Sequence, residues 1–173
     1  EGDGDFRSPA LVIRQADGSR STFFKFQDYS ISDGKPGLTG LPATYVLDNS
    51  EAQTLTINLV DDVSDLTLAM NYTIYRNRPV VTRSVKIINY GQQTVNVEKI
   101  ASMMIDLPAG EKDVISLPGG HLNERNINRE PITFGTKTFQ SRRGTTSHHM
   151  NNFIAITDRN TDEFQGEALG LSL

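Results

Sequence analysis

The chain has 173 residues, 22% of them charged and 36% apolar, with a formal net charge of −4. One soluble globular domain with a real core is within reach of that length, and the negative balance argues against a nucleic-acid or anionic-membrane partner. Cysteine is absent, which removes disulfides and thiolate chemistry, and no apolar run approaches the roughly 18 residues of a membrane helix.

The hydrophobic pattern has period two. Residues 10–15 and 22–32 read as strands flanking Ala16-Asp17-Gly18-Ser19, whose Asp-Gly pair predicts a hairpin. Asp33 to Gly37 is a turn cluster. Residues 53–60 alternate, placing Leu55, Ile57 and Leu59 on one sheet face. Residues 66–75 repeat the pattern with Leu66, Leu68, Met70, Tyr72 and Ile74. Arg76 to Pro79 predicts a turn, residues 80–88 a β-branched strand, and Asn89 to Gly91 another turn. Residues 94–107 have the length of one extended or bent strand, and the apolar stretch from Ala168 to Leu173 reads as a last one, cut in mid-course. Short strands at regular intervals without a helical period predict an all-β fold, a large antiparallel two-sheet β-sandwich. Asn71-Tyr72-Thr73 matches the glycosylation triplet, but nothing else points to a secretory route.

Chemistry is harder to find. His148 and His149 are adjacent; on a strand they point to opposite faces, and only an irregular loop, with carboxylates completing the set, brings both to one metal. The favoured reading has one histidine in the core, the other exposed, and no metal. Ser147-His148 suggests a hydrolase triad, but no G-x-S-x-G elbow is present. Asp61-Asp62 and Asp162-Glu163 are the carboxylate pairs a glycosidase needs, yet both read as solvated turns. Arg142-Arg143 suits a structural clamp on carbonyls or a buried carboxylate better than an anion grip. The most loop-like stretch is residues 117–126, with Gly119, Gly120, His121, Asn123, Glu124 and Arg125; it is the best candidate for contact with a polar ligand such as a sugar, against a plain crossover between sheets.

Several segments, taken in order, carry a resemblance. They are Gly4-Asp5-Phe6-Arg7-Ser8-Pro9-Ala10, Gly40-Leu41-Pro42-Ala43-Thr44-Tyr45-Val46, Val81-Thr82-Arg83-Ser84 and Leu117-Pro118-Gly119-Gly120. Glu124-Arg125, Ser141 to His148, Asn152-Phe153 and Gly166-Glu167 follow. Together they resemble the N-terminal domain of bacterial α-galactosidases of glycoside hydrolase family 36, over essentially the whole chain. The resemblance implies that residues 1–173 are a supersandwich domain, partial at both ends. In the family a (β/α)8 catalytic barrel and a small C-terminal sheet domain follow. It implies a parent that removes terminal α-D-galactose from melibiose and raffinose with retention, using two barrel aspartates, so that no catalytic residue lies in this chain. The domain then supplies scaffold, subunit contacts in a homo-oligomer (tetrameric in some members) and one wall of the substrate pocket.

Three departures from the family pattern stand out. A stacking Trp of the family falls in the stretch that here reads Gly119-Gly120-His121, which makes His121, with Gly120, the candidate for substrate proximity. A second family Trp falls at or near Asn126, and Asn152 stands where the family has Pro, which predicts a looser turn. In the family light, residues 141–153 read as structural: a strand with Ser141 and Arg142, a turn at Gly144, and a corner leading to Phe153 in the core. Arg143 or His148 instead meets the barrel or a second subunit in the other version of that reading. The resemblance implies no cofactor, and with no signal peptide visible and bacterial import of intact melibiose and raffinose, the expected location is the cytoplasm. The rivals are an autonomous carbohydrate-binding module, disfavoured by 8% aromatics and no Trp, and a purely structural interaction domain.

Overall fold

A computed structural model describes residues 8–40, 43–124, 126–142 and 146–172. The chain forms two compact units, residues 1–105 and 106–173. All sheets are antiparallel, consistent with the all-β sandwich class expected from the period-two pattern. Among the described residues, no helix is long and apolar enough to cross a membrane.

The first unit holds β1 (Leu11–Arg14), β2 (Lys25–Asp33), β3 (Ala52–Asp61), β4 (Leu66–Tyr75), β5 (Arg78–Asn89) and β6 (Asn96–Ile100). Strands β2-β3-β4-β5 form one sheet in that order, and β1 pairs with β6 in another. The register sorts the larger sheet into two chemically distinct faces. Ser32, Thr54, Thr73 and Thr82 lie abreast on one face, and Ser30, Thr56, Asn71 and Ser84 form the next row. Thr54 Oγ1 donates to the Gly34 carbonyl at 2.7 Å and lies 2.8 Å from Thr73 Oγ1. Asn71 accepts from Thr56 and donates to Ser84, so this triplet is spent inside the sheet. The opposite face carries Leu55, Ile57 and Leu59 beside Tyr72, Met70 and Leu68, as the alternation predicts. Leu66 and Leu68 are buried, but Tyr29, Ile31, Ile74 and Val81 remain 55–64% exposed at the other end of that face.

Three expectations for this unit change. The turn at residues 15–19 forms, with Gln15 N donating to Ser19 O at 2.8 Å and Gly18 at φ +88°. It does not join a hairpin, because β1 pairs with β6, where Arg14 and Arg20 both bind Glu98. Those guanidinium groups, Arg20 foremost, hold the Glu98 carboxyl below its usual range. The long strand expected over 94–107 is only β6, because Arg83 draws the Ala101 and Ser102 carbonyls away from any ladder. Pro79 sits inside β5 rather than in the preceding turn, which an edge strand permits.

Asp61 is also not the solvated turn residue expected. It ends β3 at 1% exposure. Its Oδ2 accepts from Phe23 N and its Oδ1 from Val63 N and Ser64 N. Burial alone would raise its pKa; the amide donors outweigh that and hold it below the usual carboxylate range. Asp62 fits its expectation, exposed and 3.7 Å from Lys25.

The second unit holds β7 (Lys112–Pro118), β8 (Asn128–Pro131), β9 (Met150–Asp158) and β10 (Ala168–Ser172), in sheet order β10-β9-β7-β8. Val114 and Ala155 form its buried apolar positions. The Phe153 ring lies over Gly170, where any Cβ would come within 3.1 Å of it. Ser141 and Arg142 belong to no strand, contrary to expectation, and the turn expected at Gly144 and the alternatives for Arg143 fall outside the described residues. Asn152 lies in β9 and its N–H donates to Thr146 Oγ1 at 3.1 Å. A proline at this position would lack that donor.

Candidate functional site

One end of the second sheet gathers both stretches singled out in the sequence. Strand β7 ends at Pro118, opposite Met150 at the start of β9. Beyond this pair the chain makes two tight turns. Gly120 and Asn123 exchange backbone hydrogen bonds of 2.9 and 3.0 Å, leaving His121 and Leu122 as the central residues. Ser147 and Met150 exchange bonds of 3.1 and 3.2 Å, leaving His148 and His149 between them. The Gly119 N–H donates to the His149 carbonyl at 2.9 Å and ties the turns together. Asn126 N donates to Pro118 O at 2.9 Å and closes the first loop.

His121 is exposed at the apex of its turn and Gly120 is half-buried at its start. Leu122 is held at φ +61°, in the left-handed region, and is 86% exposed. Bulky residues rarely adopt that conformation. Glu124 Oε1 accepts from Leu122 N at 3.0 Å, which turns this carboxylate back over the loop. His148 is exposed and His149 half-buried, with ring centroids 5.1 Å apart in an edge-to-face arrangement. The turn therefore does what a strand forbids and brings both imidazoles to one side. Glu124 joins them: one donor atom from each of Glu124, His148 and His149 lies within 4.8 Å of the others. Reading the sequence for chemistry named all three residues but did not connect them, because the contact spans two turns far apart in the chain.

A polar cleft of about 560 Å³ lies at the opposite end of the sheet, lined by Glu111, Asp158, Arg159, Thr161 and Gln165. Its charges are paired within the unit, Arg159 with Glu111 and Lys112 with Asp158. Asp162 in the neighbouring turn accepts from the Phe164 and Gln165 amides, and these bonds hold its carboxyl below the usual range. Asp162 thus serves turn geometry, as expected for this pair.

Residues 1–173 match the profile of the glycosyl hydrolase family 36 N-terminal domain. Alpha-galactosidase 1 of Pediococcus pentosaceus is 50% identical over 172 residues, covering 99% of this chain and 24% of that protein. Alpha-galactosidase Mel36A of Lactobacillus acidophilus is 49% identical over 172 residues, with the same shares of 99% and 24%. The crystal structure of the family 36 α-galactosidase AgaA of Geobacillus stearothermophilus superposes with a TM-score of 0.91 at 42% identity, over 96% of this chain and 23% of that one. The chain thus spans about a quarter of the length of the curated relatives it matches. By fold, length of match and identity, this chain belongs to glycoside hydrolase family 36, whose N-terminal domain it represents.

Proposed function

We propose that this chain is the non-catalytic N-terminal β-sandwich domain of a retaining α-galactosidase, whose (β/α)8 barrel and both catalytic carboxylates lie outside residues 1–173. The observation that carries the reading is the match of all 173 residues to the family's N-terminal domain, while the chain spans only 24% of the relatives' length. The parent enzyme then hydrolyses terminal α-D-galactose from raffinose-type sugars; AgaA variants of Geobacillus stearothermophilus have been crystallised with raffinose and with stachyose. No cofactor is needed for a reaction that uses two carboxylates, and the cytoplasm is the proposed location.

In this role the domain is scaffold, subunit contact and pocket wall. The exposed apolar end of the β2–β5 sheet, with Tyr29, Ile31, Ile74 and Val81, suits coverage by the parent's remaining chain or by a second subunit of a homo-oligomer. His121, lifted on its turn beside Gly120, is the group proposed to reach the sugar, donating or accepting one hydrogen bond. His121→Ala in the full-length parent should raise KM for raffinose about 2- to 10-fold with little change in kcat, the loss of one ordinary hydrogen bond. Unchanged KM and kcat would remove His121 from the pocket.

A further inference from the structure

We propose that Glu124, His148 and His149 form a binding site for a divalent transition-metal ion of the zinc class, which staples the 118–126 loop to the 147–150 turn. The chemistry of the donor set selects the ion. Two imidazoles and one carboxylate suit zinc and its neighbours, whereas calcium and magnesium take oxygen ligands. The three donors lie within 4.8 Å of one another, and a tetrahedral ion with ligands near 2.1 Å sets its donors about 3.4 Å apart. Glu124 and His148 are exposed, so small side-chain rotations close that gap without moving backbone.

The backbone beneath is already fixed. Both turn bonds between Ser147 and Met150 are made, the Gly119 amide holds the His149 carbonyl, and Leu122 N holds Glu124 Oε1. His149 N is further bound by Ser147 Oγ at 3.3 Å. These contacts restrict the donors before any ion arrives, which lowers the ordering cost of binding. With three protein ligands, the ion keeps a fourth position for water. The third histidine, His121, belongs to the same pair of turns but not to the donor set, and it provides the control.

The test is isothermal titration of zinc chloride into the untagged full-length protein, with cobalt(II) absorption as a second probe. The expected result is one zinc per chain, with affinity weakened about ten-fold or more by Glu124→Gln and by His148→Ala, and unchanged by His121→Ala; loss of an outer hydrogen-bond partner alone costs about that much in established sites. Cobalt should give the intense visible bands of a four-coordinate site in the wild type and lose them in E124Q. Glu124 is exposed, so its substitution tests the site without endangering the fold. Absence of zinc binding by the wild type overturns the proposal. So does binding that E124Q and H148A leave intact, because the ion is then held elsewhere.

Discussion

Arg129 Nε lies 2.7 Å from Asp113 Oδ2, and the rest of its guanidinium donates to the carbonyls of Asp158, Arg159 and Thr161. Asp113 is 8% exposed, so this one side chain neutralises a buried carboxylate on β7 while reaching from β8 to the turn after β9. Arg129→Ala should destabilise the second unit by about 2–4 kcal/mol, because it strands that carboxylate. Arg129→Lys should recover little, since one ammonium cannot replace a planar fork that serves four acceptors. Urea unfolding of the two variants checks both statements.

Asp61 makes stability depend on pH in a defined direction. Its carboxyl is held below the usual range in the fold by the Phe23, Val63 and Ser64 amides, against the opposing effect of burial. A depressed pKa contributes stability that is full above the unfolded value and is lost as pH falls through the folded value. Wild-type stability should therefore fall below about pH 4. Asp61→Asn should be weaker by about 2–4 kcal/mol at neutral pH, with amides left poorly bonded, and should flatten the acid limb. Thermal melts of both proteins from neutral to acid pH test this.

Gly166 sits at φ +97°, and a Cβ there would come within 2.4 Å of Thr161 Oγ1 and 2.8 Å of Thr161 Cα. Gly18 is at φ +88° with open space around it. Gly166→Ala should cost about 1–3 kcal/mol, and Gly18→Ala about 1 kcal/mol or less, the difference being the clash. Equal losses in the two melting curves would assign the whole cost to backbone conformation.

Leu122 presents the converse case. At φ +61° and 86% exposed, it carries strain with no burial to offset it. Leu122→Gly should gain up to about 1 kcal/mol, read as a rise in the urea midpoint at unchanged slope.

What was legible in the sequence follows what is local. Strands β3 and β4 alternate without interruption, so their limits and their apolar faces were readable from Leu55 and Leu66 onward. The Asp17-Gly18 turn was readable as a turn but not as a connection, because the partner of β1 is set by Glu98, far along the chain. Strands β7, β8 and β9 escaped notice; β8, Asn128–Pro131, carries no apolar alternation and owes its place to Arg129. Arginine clamps do form, at Arg83 and Arg129, whose acceptors lie on segments 16–32 residues away, while Arg143 of the expected pair lies outside the described residues. His148 and His149 were visible as neighbours. Their meeting with Glu124 was not, because it depends on two turns held side by side by the Gly119–His149 bond.

The absence of catalytic carboxylates from this domain is tested most directly by a proton NMR time course of raffinose with residues 1–173 alone at high concentration, beside the full-length protein. Free-galactose anomeric signals are expected with the full-length protein, and an unchanged raffinose spectrum with the domain alone. Galactose released by the isolated domain would contradict that absence, since the catalytic carboxylates would then have to lie within this chain.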